Sequence, residues 1–546
     1  MNPPASGNPE PITANSESPS SPASPWSPLR EPVFRALWLA AITSNIGTLM
    51  QTVGAAWLMT LLAASPLLVA LVQTANTLPV FLLALPAGAL ADMLDRRRLI
   101  LFTQSWMMFA AAGMGVLTLL GQMTPGVLLA FTFLLGLGTA LNAPAWQAIV
   151  PDLVHRAQIP AAVALNSIGF NLARAVGPAL GGLVVAAAGS GVVFLLNAFS
   201  FLGVIAVLFF WKWPSRLSPS PAERIIEAIG AGVRYVRHSP ALPPLYARAA
   251  AFALFGTALQ ALLPLFAREA LEVGPTGYGL LLGAFGGGAI LGAAFMPAAL
   301  RKVGVNALLG RGFVLFAAAE ILMAWLRSFF GVFGVMVLAG AAWLTVLSIL
   351  NTKVQTATPS WVRGRALAFY ILTFSGGMAL GGALWGLIAE FLGIPAAFHL
   401  SAGGLILSAW VARRFRLIPG DLDLTPSLHW PEHMMAVEPQ PEHGPVLVTV
   451  EYRIDPERAE EFARTMETLG RVRRGSGAMR WGLFHDTADP GRYVETFLVE
   501  SWAEHLRQHE RITMADRAAE ERARSFHLGP DPPVVSHLIH AYNGSK

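Results

Sequence analysis

Gly88-Ala89-Leu90-Ala91-Asp92-Met93-Leu94-Asp95-Arg96-Arg97-Arg98 is a short charged break between two long apolar runs, roughly 68–91 and 99–121. A bilayer core takes about 20 mostly apolar residues per helix, so each run is long enough to cross one. In hydrocarbon every backbone polar group must pair within the protein, which makes a helix the natural form of such a run. Three consecutive Arg between two spans put the break on the cytoplasmic side, where Lys and Arg collect.

Ten further runs match: 35–62, 124–150, 161–188, 191–212, 244–270, 276–301, 305–327, 329–356, 365–392 and 395–417. Twelve spans are therefore predicted, numbered 1 to 12 along the chain. Alternate connections carry Arg156, Arg216, Arg224, Arg234, Arg237, Arg301, Lys302, Arg363 and Arg365; the others carry only Arg268 and Arg327. With Arg30, Arg35, Arg413, Arg414 and Arg416 at the flanks, this pattern predicts both termini in the cytoplasm of a multi-pass inner-membrane protein. No signal peptide is expected, since no basic segment leads directly into an apolar core near the start.

Composition agrees. Hydrophobic residues make up 54% of the 546 and charged ones 13%, about half the share of a soluble domain. The absence of Cys excludes a disulfide scaffold, a thiolate metal site and Cys catalysis. The chain is basic, with a pI near 9.7. Yet residues 1–420 hold 24 Lys and Arg against 12 acids, while 443–546 hold 14 against 16. The excess of base travels with the apolar part, so it reads as membrane topology and not as nucleic-acid binding.

The two halves of the apolar part look alike. Gly47-Thr48-Leu49-Met50-Gln51 matches Gly256-Thr257-Ala258-Leu259-Gln260, and Gln147 to Pro151 matches Gln355 to Pro359. Two six-helix repeats related by an axis along the membrane normal are a transporter architecture, with the substrate between them. The predicted organisation is a disordered Pro- and Ser-rich segment 1–30, a first half 31–212, a cytoplasmic linker 213–243, a second half 244–420, an acidic Pro-rich linker 421–442, and a polar domain 443–546. In that domain, strands at 446–452, 479–485, 493–500 and 534–540 and helices at 456–472 and 502–524 give the order β-α-β-β-α-β, a ferredoxin-like α+β fold.

The 88–98 stretch resembles the signature between helices 2 and 3 of the major facilitator superfamily. Gly88, Asp92, Arg96 and Arg97 match it; Met93 and Asp95 depart from it. Gly88 is expected to let span 2 approach a partner closely. The resemblance implies that Asp92 latches span 11 and holds a cytoplasmic gate. Span 5 contains Gly169, Gly177, Pro178, Gly181 and Gly182, which resemble the helix 5 motif of superfamily members that export by antiport. Spans 8 and 11 are also glycine-rich, and smooth faces suit halves that rock against each other. The stretch from Asn142 to Pro178 is similar to the branch called transmembrane secretion effectors, which includes enterobactin exporters.

Arg174 lies mid-membrane and is expected to contact substrate, couple protons or make a structural ion pair. Glu320 is the one acid well inside a span. A lipid-facing or snorkelling position is expected for it, with proton coupling the alternative. Asn45, Gln51, Asn76, Asn142, Gln147, Asn166, Asn171, Gln260 and Asn351, with Trp57, Trp146, Trp343 and Trp385, are candidates to line a substrate cavity.

The C-terminal domain resembles antibiotic-biosynthesis monooxygenases. Trp502, His505 and His509 share a helix face, and His485 sits near a strand end. No metal-ligand spacing and no phosphate loop is present, so no cofactor is expected and the chain is not read as an enzyme. Pairing of such domains makes a homodimer plausible. The expected function is a secondary transporter in the lipid bilayer, exporting an organic small molecule (siderophore, drug or similar amphiphile) by proton antiport with alternating access. The alternatives are an importer, a membrane-anchored oxidase or small-molecule-binding module, and a sensor that regulates transport.

Overall fold

A computed structural model describes residues 24–211, 225–414, 423–427, 429–430 and 439–540; side chains of Ala89, Asp92 and residues 225–229 are outside that set. The segment 1–23, residues 213–224 of the first predicted linker and half of the second therefore fall outside the described residues.

Among the described residues, twelve helices are long and apolar enough to cross a membrane. The first half holds α1 (Pro32–Leu62), α2 (Pro66–Met93), α3 (Arg96–Leu119), α4 (Pro125–Ile149), α5 (Ile159–Ala188) and α6 (Ser190–Phe210). A helix between the halves, α7 (Ile225–His238), was not anticipated. The second half holds α8 (Leu242–Glu269), α9 (Pro275–Val303), α10 (Val305–Trp325), α11 (Phe329–Thr356), α12 (Arg363–Leu392) and α13 (Ile394–Ala412). Spans 7 to 12 of the sequence are thus α8 to α13.

The helix ends follow from local chemistry. Ser65, Asp95 and Thr124 each accept the backbone N–H three residues on, capping α2, α3 and α4. Gly189, Gly304 and Gly393 adopt φ of +82°, +74° and +83°, and each ends one span and starts the next in a single residue. A side chain at those angles is strained, which leaves glycine as the residue of choice.

The C-terminal domain is a four-stranded antiparallel sheet, order β2-β3-β1-β4. The strands are β1 (Val446–Arg453), β2 (Arg480–His485), β3 (Arg492–Val499) and β4 (Val534–Ile539). Inserting β3 between β1 and β2 is the ferredoxin-like arrangement expected from the element order. Helix α14 (Ala459–Ser476) packs on one face. The single helix predicted over 502–524 is two, α15 (Trp502–Arg511) and α16 (Met514–Arg524). The break has a cause: Thr513 and Asp516 form a reciprocal capping box that starts a new helix. The released backbone pairs with the linker, where Ser427 N donates to Ile512 O (2.9 Å) and Met514 N to Thr425 O (3.0 Å).

Candidate functional site

The two halves meet along two glycine-built seams. In the first, α5 lies against α9. A Cβ on Gly182 would sit 2.4 Å from the Pro275 carbonyl oxygen, and one on Gly279 would sit 2.5 Å from that of Pro178. The contact continues through Gly283 against Ala175 and ends at Gly286, against the Arg174 carbonyl. Gly169, Gly177 and Gly181 face a different partner, α1, at Ile42, Leu49 and Met50. In the second seam α12 lies against α2: Gly386 meets Leu67, Gly382 meets Ala70 and Thr74, and Gly376 meets Phe81. Thr74 Oγ1 donates to Ala379 O at 2.8 Å across it.

Both seams close at the Arg-poor end of the bundle and stop short of the Arg-rich end. Beyond Gly286, Ile290 on α9 and Ile168 on α5 are 40% and 53% exposed. Gly88 departs from expectation here: nothing lies within 4 Å of its Cβ position. The α2–α12 seam has already ended at Phe81, so Gly88 faces open space in this state.

The Arg-poor end carries a contact that sequence reading missed. The Glu390 carboxylate of α12 accepts from Ser65 Oγ (2.6 Å) and Leu67 N (3.1 Å) at the start of α2. The carboxylate meets the positive end of a helix dipole across the boundary between halves. The signal available in sequence was Ser65-Pro66, a helix start, but its partner 325 residues away had none.

The helix 2–3 arginines bind inside their own half. Arg96 Nη1 pairs with Asp152 Oδ2 at 2.8 Å, and Arg97 donates to the carbonyls of Leu208 (2.7 Å) and Phe209 (2.9 Å) at the end of α6. The Asp92 side chain lies outside the described residues.

Between the halves is a cavity with 70 Å³ open to water-sized molecules. The repeat-related pair Gln51 and Gln260 line it together, with Asn76, Gln73, Asn197 and Tyr278. Gln51 is held by Asn197, whose amide donates to it. Tyr278 of α9 stacks on Trp57 of α1 across the halves, with centroids 6.0 Å apart. Tyr278 and Asn197 were not anticipated. A broader recess of about 400 Å³ lies between α11 and α12 and takes in Asn351.

Other candidates do something else. Asn142 Oδ1 accepts from Thr103 Oγ1 (3.0 Å) and joins α3 to α4. Asn171 donates to its own helix at Ser167 O (2.9 Å). Asn45 and Asn166 are half-buried and outside the cavity lining, and Gln147 is exposed. Trp343 is a core residue among Phe252, Phe285 and Phe316, and Trp385 donates to Leu254 O at 2.7 Å. Arg174 lies 5.7 Å from the Phe170 ring, with no ion pair among the described residues. Glu320 is fully buried and not lipid-facing: it lies near Ser401 of α13 and the Leu259 backbone of α8, but neither carboxyl oxygen has a hydrogen-bond partner among the described residues, and the Ser401 hydroxyl donates to Phe255 O instead. A carboxyl is costly against lipid, so it faces the bundle interior.

The C-terminal domain docks on the Arg-rich end. Arg511 of α15 lies over the Trp361 ring in the α11–α12 connection at 4.6 Å, and Arg234 of α7 approaches Glu504 at 3.8 Å. Inside the domain, Arg473 is buried between Glu495 (3.1 Å) and Glu520. Glu520 also accepts from His429 Nε2 (2.8 Å) and Trp430 Nε1 (2.9 Å) of the linker. Burial alone would raise the Glu520 carboxyl, but the Arg473 charge and these two hydrogen bonds outweigh it and pull it down to about 2. His505 and His509 do share a face, with rings 5.0 Å apart, while His485 sits apart against Tyr493. Among the described residues no group of three or more His, Asp or Glu is placed to hold a metal.

The family described as transmembrane secretion effector matches residues 23–545. The multidrug efflux pump Tap of Mycolicibacterium fortuitum is 26% identical over 68% of this chain and 93% of its own length. The enterobactin exporter EntS of Salmonella typhimurium is 27% identical over 71% and 95%. Among solved structures, a bacterial homolog of the human lysosomal transporter Spinster, inward-facing and occupied, aligns with a TM-score of 0.58 at 17% identity, covering 71% of this chain and 98% of that one. A POT family transporter in complex with 5-aminolevulinic acid gives 0.58 at 14%, covering 70% and 96%. Both likenesses concern the fold.

Proposed function

Because the chain belongs to the transmembrane secretion effector family, a group of small-molecule transporters, we propose that it exports an organic amphiphile by alternating access, driven by proton antiport. The observation that carries this reading is the asymmetry of the two seams. Both are closed to backbone contact at the Arg-poor end, and both stop before the Arg-rich end. With the Arg-rich end in the cytoplasm, this is an inward-open state waiting for cargo from inside. Rocking the halves would part Gly182 from Pro275 and Glu390 from Ser65, and would bring the Arg-rich ends together.

In the closed cytoplasmic state Asp92 meets the start of α12, as the family motif implies, while Arg96 and Arg97 keep the first half rigid as it turns. Gly182 and Pro178 keep the outer seam tight against leakage, while Gly177 and Gly181 seat α5 on α1. The substrate enters the recess beside Asn351 and is held at the midplane by Gln51 and Gln260. Arg174 and Glu320 are the coupling candidates, being a cation and a carboxyl inside the bundle. The export direction and the siderophore or drug class follow the named relatives. A homodimer would use the edge strand β4, whose Val534 and Leu538 are exposed.

The test is proton movement in everted membrane vesicles, screened with siderophores, macrolides and lipophilic cations. The expected result is a proton response to one class, lost in Asp92→Asn and in Glu320→Gln. No response to any compound, with the protein present in the membrane, overturns the proposal.

A further inference from the structure

Helices α8, α10 and α13 do not close against one another at the Arg-rich end. They leave a recess of about 680 Å³, far larger than the cavity between the halves. Three cations line it: Arg248 of α8, Arg311 of α10 and Arg413 just past α13. Asn306 joins them, and no Asp or Glu is among the lining residues. Arg248 is only 7% exposed and donates from Nη2 to the Ala412 carbonyl at 2.7 Å, which ties α8 to the end of α13. Arg311 and Arg413 are exposed and make no ion pair or hydrogen bond among the described residues. Other arginines of that end do find acceptors in the protein, Arg96 on Asp152 and Arg97 on the Leu208 and Phe209 carbonyls. Three like charges around one recess repel unless something negative enters it.

The recess is charged at one end only. Along α10 its wall runs from Asn306 through Gly310 and Arg311 to Val314 and Ala318, one face of the helix at spacings of three and four. Those twelve residues rise about 18 Å, more than half of a bilayer core of roughly 30 Å. Past Arg311 the walls are apolar, with Phe313, Val314, Leu315 and Ala318 on α10 and Ala409 on α13. Val314 and Leu315 are exposed in a helix that spans the membrane, so the groove opens to lipid. Nearby on α13, the Arg414 guanidinium lies 5.3 Å from the Trp410 ring. An exposed Trp beneath a cation marks the level of the lipid headgroups.

A cationic pocket at headgroup depth that continues as an apolar groove matches a molecule with a negative head and a hydrocarbon tail. A soluble anion would use only the first part, and a neutral lipid only the second. We infer that this recess is a binding site for an anionic phospholipid. Its phosphate is held by Arg311 and Arg413 with Arg248 behind them, and an acyl chain lies along Val314, Leu315 and Ala318. The inference needs only the placement of the chain in a membrane and is independent of the direction and coupling of transport.

The test uses a reporter beside the groove. Ile406 shares a face of α13 with Ala409 and Arg413, at i+3 and i+7, and is exposed without lining the recess. The chain has no Cys, so Ile406→Cys labelled with bimane gives one fluorophore. The full chain is reconstituted in phosphatidylcholine vesicles with rising amounts of phosphatidylglycerol or phosphatidylcholine that carries a nitroxide on its acyl chain. Half-quenching by the phosphatidylglycerol is expected at a mole fraction at least about fivefold lower than by the phosphatidylcholine. Arg311→Gln with Arg413→Gln is expected to bring the two lipids within about twofold of each other. Both side chains are exposed, so an unchanged melting temperature is expected of that variant. Arg301→Gln with Lys302→Gln removes the same charge from the same end but outside the recess, and is expected to keep the preference. Equal quenching by the two lipids overturns the site. So does a preference that survives the loss of Arg311 and Arg413, or one that is lost equally with Arg301 and Lys302. Glycerol 3-phosphate at about 10 mM and fixed ionic strength is expected to leave quenching unchanged. Release of the lipid by it assigns the pocket to a soluble anion and overturns the lipid site.

Discussion

Where α5 meets α9, side chains have been removed so that backbones touch: Gly182 to Pro275, Gly279 to Pro178, Gly286 to Arg174. Where α14 and α16 meet the C-terminal sheet, charged side chains have been added: Arg473 is clasped by Glu495 and Glu520, with His429 and Trp430 bonded behind. The seam must separate and re-form. A contact made of dispersion between smooth faces can do that without stranding a charge, since each atom pair is worth only about 0.1–0.2 kcal/mol. The clasp cannot open cheaply, because parting it leaves buried charge without a partner. The difference separates surfaces that slide from a core that is set.

The sharpest break of the clasp is Glu520→Ala. It strands His429 and the Trp430 N–H and leaves buried Arg473 with Glu495 alone. We expect the C-terminal domain to lose about 3–5 kcal/mol in denaturant unfolding of the full chain, followed by near-ultraviolet dichroism. Acid tests the same clasp without mutation. Glu520 is depressed from 4.5 to about 2, so its stabilisation is whole above pH 4.5 and is lost as pH falls toward 2. The loss is on the order of 3 kcal/mol, and it is expected to shrink in Glu520→Gln.

The seam answers to bulk instead of charge. Gly182→Leu places atoms where the Pro275 carbonyl lies, so transport is expected to fall at least about tenfold, roughly 1.4 kcal/mol on the barrier. The protein should still reach the membrane, and gate-label distances should show the Arg-poor end ajar. Glu390→Ala removes the one carboxylate among the described residues at that end of the α2–α12 seam. A milder leak of roughly two- to threefold is expected, measured as uncoupled proton flux in vesicles. Least is expected of Asp152→Asn. Its bond to Arg96 is part-exposed and inside one half, so unfolding should change by under about 1 kcal/mol.

Much of the fold was legible in advance. The twelve spans, their break at Asp92 to Arg98 and the α+β order of the last hundred residues follow from hydropathy and periodicity. These are local signals: a run either is or is not long enough to cross a bilayer. The repeat was legible too, and it pointed to Gln51 and Gln260, which share one cavity. The remaining polar residues were not sortable. Asn142 and Gln51 look alike in sequence, but one joins α3 to α4 and the other faces the midplane, because helix rotation is set by packing against neighbours.

What the sequence determined by itself was the class of molecule: a membrane bundle in two repeats with a small α+β domain behind it, since apolar length and residue spacing act within one segment. Tertiary structure alone decided which glycines face α1 and which face α9, that Glu390 caps a helix of the other half, that Glu320 turns inward, and that the Arg473 guanidinium lies over the Trp430 ring. Each of these joins residues far apart in the chain. Their energy comes from distance and burial in three dimensions, and neither quantity is written in the order of the residues.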